Sequence, residues 1–317
     1  VAAESWLNDA ATNDTRGKVL SAYMMAQTLG IIGAQGLLML GDAGTSVLFI
    51  GASILVSVSF APILLSAAVV PAVEVSKPMS LWALLKISPL GTVGIFLLGC
   101  VYATQSGMGA VFGSQVGLSA NSIALFVAML FAGALVMQYP IGWLSDRVSR
   151  SKLIFWASCL GGASCAFGWM SHGAFWPLMA SAFFAGGVTT PLYALFLAYT
   201  NDSLSPSDMP AASGGLVFTF GLGAIAGPLL SGWCMQVLGP DAFWIVLGIT
   251  FLGIASFAMF SMAQQGEQIA VEDTDSYLGV LPTTSVVAVE AANEWAIDHA
   301  EHQADVEERQ NEENRSN

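Results

Sequence analysis

The sequence predicts an all-α membrane protein with eight transmembrane helices, and three observations carry that reading. Of its 317 residues, 55 % are hydrophobic and only 10 % are charged, at a mean hydropathy of +0.67; soluble proteins carry about a quarter charged residues. Long stretches contain no Asp, Glu, Lys or Arg, among them 87–145 and 153–201. The nine basic residues fall only at the ends and in alternate gaps between such stretches.

A span needs roughly 20 consecutive apolar residues. The charge-free blocks 19–41, 43–73, 209–240 and 242–266 each supply one, while 87–145 and 153–201 are long enough for two. The internal turns of the double blocks belong at 113–121 and 171–177, where Gly, Ser, Asn and Pro gather. Arg16 and Lys18 precede the first span, Lys77 and Lys86 separate the second from the third, and Arg147, Arg150 and Lys152 separate the fourth from the fifth. By the positive-inside rule these loops and both chain ends are expected on the cytoplasmic side.

Residues 1–6 read as the last turns of a helix, and Val1 in place of Met predicts a piece of a longer protein. Residues 8–15 supply turn and N-cap chemistry. The first span carries Gln27 and Gln35 beside Gly30, Gly33 and Gly36, a stripe suited to close packing in lipid. The second has only Ser and Thr as polar side chains, which suits a lipid-facing helix. Residues 73–86, charged and proline-containing, form the expected linker. The third span groups Tyr102, Thr104, Gln105 and Ser106, with Tyr102 and Gln105 on one face. The sixth carries Thr189, Thr190, Pro191 and Tyr193 at mid-helix, where proline frees a carbonyl. The seventh is glycine-rich and the eighth bland. Leu29-Gly30 and Gly33 resemble Leu222-Gly223 and Gly227, a spacing that suits two duplicated halves.

The formal charge of −13 describes the tail: from Glu267 onward there are thirteen acids and two bases. That tail has the composition of a disordered segment, with residues 285–310 able to fold as a short helix on an unknown cytoplasmic partner. Nothing in the charge pattern points to nucleic acid. Cys100, Cys159, Cys165 and Cys234 all lie in spans and read as small apolar residues, not a disulfide framework. His172 reads as a loop residue, and His299 and His302 alone do not make a metal site. An intramembrane enzyme is disfavoured, since the sequence has no H-E-x-x-H, no paired intramembrane acids and no G-x-S-x-G. No ionisable side chain lies mid-span, so the coupling proton or ion, if any, is unidentified.

Between the fourth and fifth spans stands Gly142-Trp-Leu144-Ser-Asp146-Arg147-Val-Ser149-Arg150-Ser151-Lys152. It resembles G-x-L-a-D-r-x-G-r-k, the cytoplasmic signature of the major facilitator superfamily of secondary transporters, in the degenerate copy after helix 8. It departs from the signature at Ser149 and Ser151. The opening ESWLN…TRGKVLSAYM resembles the helix 4 to helix 5 junction of a bacterial permease subgroup without settled substrate. The resemblance covers residues 1 to about 264 and implies an MFS-type bundle of helices 5–12 out of twelve. It places the end of helix 4 and helices 5–6 in 1–72, the linker between halves in 73–86, the C-terminal six-helix half in 87–266 and the tail in 267–317.

Such a chain is expected to move a small molecule by alternating access, without a cofactor. The resemblance puts the substrate cavity beside helices 7 and 10, hence Tyr102, Gln105, Thr189, Thr190 and Tyr193, with Gln27 and Gln35 added from helix 5. These amide, hydroxyl and aromatic groups suit a neutral or zwitterionic substrate. It also implies a cytoplasmic latch of Gly142, Asp146, Arg147, Arg150, Glu4 and Arg16, with Asp146 accepting hydrogen bonds from the N-terminus of helix 5. The alternative for the basic residues is that they set topology by binding lipid phosphates. The alternative for the whole is an inactive fragment or membrane scaffold that does not transport.

Overall fold

Every charge-free block that is described folds as helix, because a backbone in lipid must satisfy its own hydrogen bonds. The computed structural model describes residues 13–40, 46–65, 79–145, 147–171, 173–204 and 208–265. Glu4, Asp146, His172, the tail from 267 and the side chain of Arg16 lie outside the described residues, and so do the expectations that rest on them. No strand occurs among the described residues.

The helices among the described residues are α1 (Asn13–Leu40), α2 (Val47–Leu65), the short α3 (Leu81–Ile87), α4 (Pro89–Gln115), α5 (Ala120–Ser145), α6 (Arg150–Met170), α7 (Phe175–Asn201), α8 (Met209–Leu238) and α9 (Ala242–Gln265). Six of them, α4 to α9, are long and apolar enough to cross a membrane; α1 and α2 contribute the shorter apolar stretches Met25–Met39 and Val47–Ala61. The expected turns appear where Gly117 and Gly173 adopt positive φ, which a side chain would strain. Helix α3 forms within and just beyond the expected linker. Its Ser80 cap accepts from the Ala83 amide, Leu84 is fully buried, and the Met79 amide donates 2.7 Å to the Ala211 carbonyl at the start of α8.

Helices α4 to α9 pack as a six-helix body with α7 the most buried span, and α1 lies against α5. The main contacts follow one rule: α4 on α8 matches α7 on α5, α4 on α9 matches α7 on α6, and α6 packs on α9 as α4 packs on α7. Exchanging α4, α5, α6 for α7, α8, α9 leaves this pattern unchanged, as an inverted three-helix repeat requires. Two glycine crossings fix the register. A Cβ on Gly133 of α5 would overlap the Phe183 carbonyl of α7, and one on Gly223 of α8 would overlap the Phe96 carbonyl of α4. Likewise Gly186 lies against the Leu130 carbonyl and Gly99 against the Phe220 carbonyl. Small residues there let the backbones touch.

The sequence carries the same repeat. Phe96-Leu-Leu-Gly99-Cys-Val101 answers Phe183-Phe-Ala-Gly186-Gly-Val188, and Gly133-Ala134 with Gly142-Trp143 answers Gly223-Ala224 with Gly232-Trp233. This nested repeat differs from the long-period match between the first and seventh spans.

The outer surface suits a bilayer. Helix α2 exposes almost all its described side chains, and Ser53, Ser57 and Ser59 bond carbonyls of their own helix. Exposed Trp82, Tyr139, Trp143 and Trp156 lie toward the end that carries the basic residues, and exposed Trp169, Trp176 and Trp233 toward the other, as interfacial aromatic belts do. Lys86 lies over the Trp82 ring at 5.5 Å and Arg147 over Trp143 at 4.0 Å. Cys165 is buried, the other three cysteines are half-buried, and all four are free thiols.

Candidate functional site

The third span is not a uniform α-helix. Between Ala103 and Gly109 it widens into a π-turn, Thr104–Met108, which inserts extra backbone into the helix and turns Gln105 inward. Such bulges gather at functional sites because they re-aim side chains and loosen carbonyls. Across from it, Pro191 sits inside α7 and removes the donor that would serve the Gly187 carbonyl.

Between these irregularities lies a small cleft. Tyr102, Gln105 and Ser106 line it from α4, and Gly186, Thr189 and Thr190 from α7. Leu130, Phe131 and Ala134 of α5 close the third side. The residues of the two polar patches therefore meet in one place, except Thr104 and Tyr193, and Gln27 and Gln35 of the first span do not join them. The Tyr193 ring is fully buried and stands edge-on to Phe220 of α8 at 5.3 Å. Gln27 donates to the Tyr23 hydroxyl at 3.3 Å, and neither it nor Gln35 lines the cleft.

The polar groups of the cleft have defined roles. The Thr189 hydroxyl donates to the Ala185 carbonyl at 2.8 Å, and the Ser106 hydroxyl to the Tyr102 carbonyl at 2.7 Å. Their protons are committed, so toward a neighbour these oxygens act as acceptors. Gln105 differs: the residue is 4 % exposed, and its amide nitrogen has no hydrogen-bond partner. The Thr104 and Tyr193 hydroxyls are also buried without partners. Leaving a buried donor unmatched costs about 1–3 kcal/mol, so such groups on two touching helices call for a reason. The free volume is ≈ 10 Å³, room for about one water.

The repeat explains the void. The counterpart of Leu130 is Phe220, and that of Thr189 is Tyr102; the counterpart of Tyr193 falls within the π-turn that holds Ser106. On the α8 side Phe220 packs against Tyr102 at 5.7 Å and Tyr193 at 5.3 Å and fills the space with rings. On the α5 side smaller residues stand in those places, and the cleft is what remains. Pattern reading of polar residues alone missed Leu130, Phe131, Ala134 and Gly186; the F-x-x-G-x-V repeat is a signal for Gly186 and the Gly133-Ala134 match to Gly223-Ala224 one for Ala134.

A second polar cluster lies at the end that carries the basic residues. Arg150, at the start of α6, pairs through Nη1 with the Asp202 carboxylate just past α7, and both side chains are almost fully buried. The same nitrogen donates to the Ala198 carbonyl at 3.3 Å. The structure thus gives Arg150 a partner inside the six-helix body that the signature did not suggest. Beside it the Ser88 and Thr200 hydroxyls lie 3.4 Å apart. Gly142 is buried. Arg147 is exposed and donates to the Trp143 carbonyl of its own helix at 2.9 Å.

Comparison with known proteins agrees with this architecture. The chain is 27 % identical over 262 residues to an "Uncharacterized MFS-type transporter" of Yersinia pestis, covering 80 % of this chain and 66 % of that one. It is 24 % identical over 254 residues to "Uncharacterized MFS-type transporter YcaD" of Escherichia fergusonii, covering 78 % and 64 %. A relative from Yersinia enterocolitica is 25 % identical over 281 residues, covering 84 % and 69 %. The chain spans just under two thirds of the length of the first two. No solved structure matches. The family model described as Major Facilitator Superfamily matches residues 91–276, more than half of the chain and nearly all of the six-helix body. The chain belongs to the Major Facilitator Superfamily.

Proposed function

We propose that this protein is a permease that moves a small molecule across the bacterial inner membrane by alternating access, with the cleft between α4, α5 and α7 as its part of the substrate site. The observation that carries this reading is the convergence of Tyr102, Gln105, Thr189 and Thr190 on one mid-span cleft flanked by a π-turn and an internal proline. Transporters of this architecture bind near the midplane, where broken helices expose polar backbone. Residues 1–72 then belong to the N-terminal half, 73–86 to the linker, 87–266 to the C-terminal half and 267–317 to a cytoplasmic tail. Gly142, Asp146, Arg147, Arg150, Glu4 and Arg16 form the cytoplasmic latch, with Arg150 held in place by Asp202. Both chain ends lie in the cytoplasm.

The experiment needs no known substrate. Thr189→Cys in a background without the four native cysteines is treated in sealed vesicles with a membrane-impermeant maleimide added on either face. Alternating access predicts labelling from both faces. Labelling from one face, or none, rejects it and favours a membrane scaffold that does not transport.

A further inference from the structure

We infer that the cleft takes an uncharged ligand bearing a carboxamide-type edge, with its carbonyl oxygen on the Gln105 amide, its N–H on Thr189 and its flat face against Tyr102 and Phe131. The inference rests on reading the cleft as the transporter's substrate site. Four observations lead to it.

The void is selective. The repeat builds the same crossing twice and fills one copy with the rings of Phe220, Tyr102 and Tyr193, while the other holds Leu130, Thr189 and the π-turn. A position left small beside a filled twin is a place for something else to enter, since interiors otherwise pack to the density of organic crystals.

The hydrogen-bonding groups in it are complementary to an amide. Gln105 offers a buried donor with no acceptor. Thr189 and Ser106 have given their protons to carbonyls of their own helices and present lone pairs. Donor and acceptor side by side match the C=O and N–H of a carboxamide or lactam, and do not match a group that only accepts or only donates.

Charge is unmatched in either sign. No Asp, Glu, Lys, Arg or His lines the cleft among the described residues, so this part of the site offers a carboxylate or an ammonium at mid-span no counter-charge. A neutral ligand avoids that desolvation.

The π-turn supplies the opening. In the closed form ≈ 10 Å³ is free, enough for one water. Gln105 sits on the π-turn, and a shift of that turn along α4 swings its amide and widens the space against α5 and α7.

The test is binding to the full chain in detergent by titration calorimetry, using benzamide, benzoate and benzylamine. These have one ring size and carry no charge, a negative charge and a positive charge at neutral pH. The expected result is benzamide binding at least roughly tenfold tighter than either ion, with Gln105→Leu and Thr189→Val each weakening benzamide by about tenfold, the loss of one good hydrogen bond. Gel filtration and circular dichroism confirm that each variant folds; Leu for Gln keeps the volume and Val for Thr the shape. Equal or tighter binding of benzoate or benzylamine, no measurable binding of benzamide, or unchanged affinity in both variants overturns the inference. Binding in detergent requires no translocation: selective benzamide binding with one-sided labelling of Thr189→Cys would reject transport and keep this inference, and the opposite pair of results would do the reverse.

Discussion

Leu130 on α5 holds the place that Phe220 holds on α8. Their carbonyls lie against Gly186 and Gly99 respectively, at equivalent crossings of an inverted repeat. Leu130 leaves a cleft, whereas Phe220 with Tyr102 and Tyr193 fills its counterpart, so residue 130 is one of the positions that keep the site open.

Leu130→Phe is therefore expected to close the site and keep the fold. The ring enters a void already matched by its twin, so the melting temperature should stay within about 4 °C of the parent, the shift that ~1 kcal/mol brings in a domain of some 200 residues. Labelling of Thr189→Cys should fall at least tenfold in this background, about 1.4 kcal/mol in accessibility. Unchanged labelling with an unchanged melting temperature would mean that Thr189 is reached by another route.

The glycine crossings carry packing. Gly133→Ala places a methyl into the Phe183 carbonyl, and Gly223→Ala does the same at Phe96. Each should destabilise by about 1–3 kcal/mol through overpacking, read as a lower melting temperature in detergent. Gly221→Ala, whose new methyl meets nothing within 4 Å, should be neutral or slightly stabilising, since Ala is the better helix former.

The Arg150–Asp202 pair is buried on both sides. Asp202→Asn or Arg150→Met removes one partner of a buried ion pair and should cost about 3–5 kcal/mol, whereas replacing both with apolar residues recovers much of that loss. Thermal unfolding of the two single variants and of Arg150→Met/Asp202→Leu checks it. A double variant as unstable as the worse single one would show that the pair holds more than itself together.

The proposed latch predicts a bias between states. Asp146→Asn weakens whatever hydrogen bonds the carboxylate makes, so labelling of Thr189→Cys from the cytoplasmic face should rise relative to the other face by about threefold or more, since a charge-assisted bond exceeds a neutral one by roughly 1 kcal/mol. An unchanged ratio removes Asp146 from the latch.

Much of this was legible in the sequence because the bilayer imposes one rule on every span. Charge-free runs marked the helices, Gly117 and Gly173 marked their turns, and the Gly142 to Lys152 loop pointed to the family. The polar patches at Tyr102 to Ser106 and Thr189 to Tyr193 also gave five residues that line the cleft. What single positions could not reveal was which polar residue faces which neighbour. Tyr193 lies in the same patch as Thr189 and yet stands against Phe220 of α8. The π-turn was hidden because TQSGM has no signature distinct from ordinary helix. Asp202 reads as a loop acid until α6 and α7 bring Arg150 to it. Long-range pairing of helices carries this information, and its trace in sequence is the glycine repeat.

The measurement that tests the central claim most directly is anomalous diffraction from crystals of the protein grown with 4-bromobenzamide. The account predicts a bromine peak in the cleft, beside Phe131 and Leu130, with the amide end at Gln105 and Thr189. A bromine found only at the lipid-facing surface, with the cleft as closed as before, would contradict it.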